Sequence, residues 1–225
     1  VLLRERSGRY EDRVRGERIA PWGVSETKRR DLYDLPMSAG GHHITDHVTY
    51  DESLAPATCE AAPLPLGIFA AGVPGPLCLG HPHHCQTLYD AAVAAGAECL
   101  RPVNVESITL GASPSVTYTH NDTQRTASTH LVVGAEGRQS EVRAAAAIPL
   151  HQDKPHHWFA GLLVENVKDL DPKRQTIGTE GNFGFLTFPQ GNGRVRVYGG
   201  YALEEKGRFR GEGGAQRFLD AFRMA

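Results

Sequence analysis

The spacing of apolar and polar residues changes several times along the chain, and each change marks an element. The opening run VLLRE, residues 1–5, is apolar, ends on a carboxylate and is broken at Gly8, which predicts a short strand ending at Glu5. From residue 20 to 35, APWGVSETKRRDLYDL is spaced mostly as a helix, with Pro21 near its start and Pro36 just past its end. AGGHHITDHVTYDE predicts a turn leading into a strand. The Pro- and Gly-rich stretch from Ala55 to Leu79 predicts short strands or loops. The best helical signal is HHCQTLYDAAVAAGAE, where Leu88, Ala91, Ala92 and Ala95 recur at i, i+3, i+4 and i+7 and Gly96 suits the C-terminal cap.

Three stretches, ECLRPVNVESITL, SVTYTH and RTASTHLVVGA, then read as successive strands. SEVRAAAA predicts a short helix stopped by Pro149. Strand-like patterning returns in HWFAGLLVENV, NFGFLTFP and RVRVYGGYAL, and GAQRFLDAFRM closes the chain as a helix with Phe218, Leu219 and Phe222 on one face. No internal repeat and no low-complexity tract is present. The order is α/β, then mostly β, then a helix. That suits a nucleotide-binding, Rossmann-like layer interrupted by a mostly β substrate domain. The expected division is 1–150 for the binding layer, with a loop and strand excursion at about 40–80, and 151–225 for the sheet and terminal helix.

Composition narrows the classes. The chain has 225 residues, enough for a sizeable core; 40% are hydrophobic and 22% charged, both ordinary for a globular protein. Lys plus Arg is 24 and Asp plus Glu is 26, a formal charge of −2, so no nucleic-acid partner is expected. The longest apolar candidate, Leu64 to Leu79, is broken by Pro65, Pro74 and Pro76, so no membrane span is expected. Cys59, Cys78, Cys85 and Cys99 form no C-x-x-C pair, which favours reduced thiols in a cytoplasmic protein over a metal or disulfide framework. No signal peptide is recognisable. The chain opens on a strand already under way, with no initiator Met, and stops on a helix; it reads as an internal fragment of a longer protein.

Several stretches could carry chemistry. Glu5, closing a strand, could accept hydrogen bonds from both hydroxyls of an adenosine ribose, or be a solvated surface acid. Arg13 and Arg15, ahead of Gly16, could clamp a pyrophosphate or form an exposed basic strand. His81, His83 and His84 sit at a helix start, where an anionic cofactor is a better fit than a metal because their spacing matches no tight ligand set. In GGHHITDH, His43 and His47 would share a helix face, but Ile44, Thr45, Val48 and Thr49 favour strand, so a pocket-lining histidine is expected there and not a metal site. In LVVGAEGRQSEVR, Gly134 and Gly137 allow a sharp turn, and Ser140 can cap the helix so that free N–H groups point back toward the turn. Glu136 could accept from ribityl or ribose hydroxyls, hold the loop through its backbone N–H groups, or be a plain turn residue.

Taken together, these stretches resemble the class A flavoprotein monooxygenases, the para-hydroxybenzoate hydroxylase group. VLLRER resembles their second strand, with Glu5 as the ribose acid. RVRGERIAPWG resembles the arginine segment over the flavin, with Arg15 the closest match. HPHHCQTLYDAAVAAGAE resembles the helix whose first residue touches the flavin side chain, here His81. LVVGAEGRQSEVR resembles the Asp-Gly motif serving flavin and nicotinamide, and GFLTFPQGNGRVRVYGGY the sheet over the substrate pocket. Two positions depart from the pattern: Glu136 stands where the family has Asp, and His81 where it has Arg or Gln. The G-x-G-x-x-G loop and the later Gly-Asp motif are absent from the sequence. The resemblance implies FAD and NAD(P)H as cofactors, with oxygen transferred from dioxygen to a small organic, aromatic substrate. It implies cofactor contacts from Glu5, Arg6, Arg15, His81, Glu136 and Gly137, with no catalytic side chain assigned; His47, Phe185 and Tyr198 are pocket candidates, of which Phe185 and Tyr198 read better as sheet core. An FAD oxidoreductase that inserts no oxygen, such as a reductase, dehydrogenase or halogenase relative, and a non-catalytic remnant or binding module are the alternatives.

Overall fold

The computed structural model describes residues 1–12 and 17–222. In chain order the first elements are β1 (Leu2–Arg4), β2 (Arg18–Ile19), α1 (Pro21–Arg29), α2 (Asp34–Ser38), β3 (His42–His43), β4 (Asp46–Asp51) and α3 (Pro56–Glu60). There follow β5 (Leu64–Pro65), β6 (Leu77–Cys78), α4 (His81–Ala94), β7 (Glu98–Leu100), β8 (Asn104–Thr109), β9 (Ser115–His120) and β10 (Thr123–Ser128). The last are α5 (Glu141–Ala145), β11 (His157–Val164), β12 (Arg174–Glu180), β13 (Phe183–Gly191), β14 (Arg194–Ala202) and α6 (Gly214–Asp220). They pack as two compact units, one of Val1–Glu11 with Leu88–Lys154, the other of Asp12–Thr87 with Pro155–Ala225. The excursion expected at about 40–80 lies inside the 12–87 stretch of the second unit.

The first unit holds the Rossmann-like layer. β1 runs parallel to β7, with Leu2 opposite Glu98 and Arg4 opposite Leu100. A parallel pair needs a long crossover, and here the crossover contains residues 12–87. The pairing continues one residue past β1: Glu5 N donates to Leu100 O at 3.1 Å, and Val103 N donates to Glu5 O at 2.9 Å. β8, β9 and β10 form an antiparallel meander. Its β9–β10 hairpin turns on Asn121 and Asp122, with φ of 48° and 56°, the left-handed pair that a two-residue hairpin loop requires. The strand expected through RTASTHLVVGA stops at Ser128. Leu131 and Val133 are 73% and 75% exposed and join no ladder among the described residues. An apolar run becomes a strand only where a partner accepts its hydrogen bonds, and this unit offers none.

The second unit is built on a six-stranded sheet in the order β11-β14-β13-β12-β4-β5. β12 is parallel to β4, and the other neighbours are antiparallel. Alternate residues of β13 and β14 feed two cores. Phe183, Phe185, Val195, Val197 and Tyr201 pack with Phe218 of α6, while Phe188 and Tyr198 pack with Ile44, Leu66 and Cys78. Burial of both faces explains why these strands read as nearly continuous apolar runs. The terminal helix is as expected: Phe218 is buried, and the Phe218, Phe183 and Phe222 rings meet edge to face.

Two local expectations need correction. The single helix across 20–35 is two helices, because Asp31 takes a left-handed φ of 55° after α1. Pro36, expected beyond the end, instead lies in the first turn of α2, where its missing N–H leaves no intrahelical bond unmade. β12 was not anticipated, since RQTIGTE has no clear period-two pattern; ladders from β13 and β4 on either side make it a strand.

A buried ionic cluster sits on β14. Arg196 lies 3.3 Å from Glu17 Oε1 through its Nε and donates from Nη2 to Asp12 Oδ1, and the Tyr198 hydroxyl donates to Glu17 Oε1 at 3.1 Å. Glu17 and Arg196 are both buried. Burial alone would lower the Arg196 pKa, but Asp12 and Glu17 hold it above the ordinary value. Arg196→Met strands the Glu17 carboxylate, and the expected loss is about 3–5 kcal/mol in urea unfolding, largely recovered by adding Glu17→Gln. A loss below about 1 kcal/mol would show that the cluster is not a structural anchor.

Candidate functional site

In the first unit, Glu5 stands at the C-terminal end of β1. Its Oε1 accepts from Ser7 N at 2.8 Å, and its Oε2 meets no protein donor among the described residues. The carboxylate is half-buried and keeps acceptor capacity for two hydroxyls, so it fits a ribose. Arg6 beside it is exposed. Arg15 lies outside the described residues.

The turn at Glu136 answers one of the open alternatives. Glu136 Oε1 accepts from the backbone N–H groups of Glu141 and Val142, both at 3.1 Å, and Ser140 Oγ donates to Glu136 Oε2. Ser140 is also the N-cap of α5, accepting from Arg143 N at 3.1 Å. Burial pushes the Glu136 carboxyl up, but these hydrogen bonds, with Ser140 foremost, hold it below the ordinary carboxylate range. The acid therefore holds the loop. It also consumes the helix-start donors that were expected to face a ligand. Gly137 supports the turn with a φ of 80°, and a side chain on Gly134 would meet Val142 Cβ at 2.7 Å.

In the second unit, His81 is the first residue of α4, and each of its ring nitrogens lies 3.7 Å from Cys85 Sγ one turn later. Among the described residues no group of three or more His, Cys, Asp or Glu could hold a metal ion. His47 lines a cavity of about 290 Å³ together with Arg18, Gln175, Trp22, Leu64 and Phe69. Phe185 and Tyr198 do not line it. Phe185 packs against Tyr50 and Phe222 in one core, and Tyr198 packs edge-on to Phe188 in the other. Alternation sends each of these two side chains into a packed face of the sheet.

The polar side of this cavity has a determined hydrogen-bond direction. Arg18 Nη1 donates to Gln175 Oε1 at 2.6 Å. Arginine can only donate, so Gln175 presents its amide nitrogen to His47 Nδ1, 3.0 Å away. His47 Nδ1 is thus an acceptor, and its Nε2–H donates to Thr49 Oγ1 at 3.1 Å. Burial, then the Arg18 charge, lowers the His47 pKa and keeps this neutral tautomer. Sequence reading found His47 but missed Arg18, Gln175 and Trp22. Arg18 and Trp22 lie in the GERIAPWG stretch, where Arg13 and Arg15 just before it carry the stronger signal, and Gln175 lies on strand β12, which has no clear sequence pattern.

Two outcomes follow from this geometry. Burial lowers the pKa of His42, His47 and His84 below the ordinary 6.5, so the unfolded chain binds more protons just below that value. Stability should be full above pH 6.5 and fall as the pH drops below it, and His47→Gln should flatten part of that slope in urea midpoints. A flat profile between pH 7 and 5 would contradict neutral burial. Glu136→Gln should accelerate hydrogen exchange at the Glu141 and Val142 amides relative to those of β9, and unchanged rates would deny the loop-holding role.

Comparison with known proteins places these features. Residues 44–213 match the FAD binding domain family. No curated protein matches the chain. Among solved structures, a flavoprotein/dehydrogenase from Cytophaga hutchinsonii superposes with a TM-score of 0.80 at 15% identity, over 97% of this chain and 53% of its own. A p-nitrophenol 4-monooxygenase from Pseudomonas putida gives 0.77 at 13% identity, over 97% and 54%. CmlS, a flavin-dependent halogenase, gives 0.77 at 14% identity, over 98% and 40%. At these identities the likeness is one of fold, and the chain spans about half the length of the structures it matches or less. The family match covers most of the chain, including the sheet of the second unit and the loop at Glu136, and the chain belongs to the FAD binding domain family.

Proposed function

We propose that the chain is part of an FAD-dependent monooxygenase that uses NAD(P)H and dioxygen to hydroxylate or epoxidise a small organic substrate of aromatic character. The observation that carries this reading is the cavity at His47, walled by Trp22, Leu64 and Phe69, in a chain of the FAD binding domain family. Oxygen insertion into an organic molecule needs a site that holds the substrate in place, whereas simple flavin reduction does not.

Glu5 would accept the ribose hydroxyls of FAD, for which its open Oε2 is suited. The resemblance gives Arg6, Arg15 and His81 as further cofactor contacts, Arg15 lying outside the described residues. Gly137 would let the backbone approach the cofactor, and Glu136 would keep that loop in shape. When bound, FAD supplies the redox and oxygen chemistry, and the protein's part is to bind, orient and shield. The reading assigns no catalytic side chain. A cytoplasmic location suits the free cysteines at 59, 78, 85 and 99.

The second reading keeps FAD and omits oxygen insertion; the folds shared with a dehydrogenase and a halogenase favour it. Desalting the chain after mixing with FAD should leave near-stoichiometric yellow colour with the protein, and Glu5→Gln should weaken retention by about tenfold or more. Colourless protein would sink both readings and favour the non-catalytic one. With FAD retained, turnover under ¹⁸O₂ should place label in the product; turnover without label would establish the second reading.

A further inference from the structure

We infer that Asn192 is a site of spontaneous covalent modification, where the side-chain amide is lost through a cyclic imide and an isoaspartate replaces the asparagine at the tip of the β13–β14 hairpin. Asn192 does not line the cavity at His47, and its chemistry is independent of the flavin reading.

The hairpin itself demands the residues that create the site. β13 ends at Gly191 and β14 begins at Arg194, so Asn192 and Gly193 are the whole loop. Their φ angles are 54° and 67°, a left-handed pair that Asn-Gly adopts with little strain. The same dipeptide is chemically weak. The Gly193 nitrogen can attack Asn192 Cγ and close a small ring, and glycine has no side chain to block the approach. An N–Cγ bond forms, the Cγ–Nδ2 bond breaks, and the Gly193 proton leaves with Nδ2 as ammonia. Water then opens the imide. Opening at the main-chain carbonyl leaves Gly193 joined to the former side chain, which is an isoaspartate. No oxidant and no cofactor is consumed.

Three observations single out Asn192. Its side chain is exposed and makes no hydrogen bond among the described residues, so Cγ is free to turn and water can reach the imide. The Gly193 N–H donates to no acceptor among the described residues, although Gly193 O accepts from Val167 N at 2.9 Å. The other asparagines lack the following glycine: Asn104 precedes Val105, Asn121 precedes Asp122, Asn166 precedes Val167 and Asn182 precedes Phe183. Two of those are also held. Asn121 Nδ2 lies 3.2 Å from His120 Nε2, and Asn182 Nδ2 donates to Glu205 Oε2 at 3.2 Å. The consequence is structural. An isoaspartate adds a methylene to the main chain and a negative charge to a loop whose length sets strand register. The β14 ladder starts directly after it and carries Arg196 two residues on. Loosening should begin at the Gly191–Arg194 pair and at the Val167 bond to Gly193.

The test is to age the folded chain at neutral pH and body temperature and to map its peptides by mass spectrometry that separates isoaspartyl from aspartyl products. Asn192 should convert at least about tenfold faster than any other asparagine, with isoaspartate among the products. Gly193→Ala should slow the conversion by about tenfold, and Asn192→Gln should abolish it. Hydrogen exchange at the Val167 and Arg194 amides should quicken in the aged wild type and stay constant in Asn192→Gln aged alongside. An Asn192 that survives in the folded chain but converts in urea would show that the hairpin protects it, and would overturn the inference. Faster conversion at another asparagine would overturn it too. Conversion with unchanged exchange at Val167 and Arg194 would refute the structural consequence. If Gly193→Ala fails to fold, the wild-type map and Asn192→Gln decide.

Discussion

The sheet unit depends on one buried guanidinium. Arg196 sits on β14, and its two acidic partners, Asp12 and Glu17, stand on either side of residues 13–16. Burying a charge is tolerable only with a partner in good geometry, so wherever Arg196 sits, these two acids must follow. Glu17 directly precedes β2, which carries Arg18 to the rim of the cavity. The position of Arg18 at the cavity is therefore set from within the sheet, through its neighbour Glu17.

The two acids singled out by sequence have opposite roles. Glu5 turns one oxygen to its own loop, and its other oxygen meets no protein donor among the described residues. Glu136 has both oxygens engaged by Ser140, Glu141 and Val142, the state of a strut. Both lie beside turn-forming residues, and in the sequence alone they look alike. What separates them is whether a short helix starts within reach. Of the N–H groups at the start of α5, Glu136 takes those of Glu141 and Val142 and Ser140 takes that of Arg143, a local demand that Glu5 does not face.

Period and punctuation made the long elements legible. The helix around Leu88 to Ala94, the apolar strands from Phe183 to Gly191 and Arg194 to Ala202, and the closing Phe218 helix all follow from spacing. The fold class followed from their order. What could not be read was whatever depends on a partner distant in sequence. RQTIGTE is a strand because two neighbours make it one, and LVV is not a strand because it has none. The same limit applied to the cavity. Arg18 and Gln175 are 157 residues apart and meet only after folding, so neither signalled the other. Phe185 and Tyr198 carry rings that would suit a pocket, but their place on apolar strands favours sheet core, and aromatic rings on a sheet covered on both faces serve the cores.

The parallel pairing of β4 with β12 also bears on how the chain is assembled. Asp46 to Asp51 must wait for Arg174 to Thr179, and the intervening chain includes residues 88–154 of the first unit. Closing so long a loop has an entropic cost before any ladder bond repays it. On the ribosome, β4 and β5 emerge early with no sheet to join, and residues 88–154 are complete before β12 appears. The order of synthesis thus favours the first unit as an early-formed insert, with the sheet that holds Arg196 completed last.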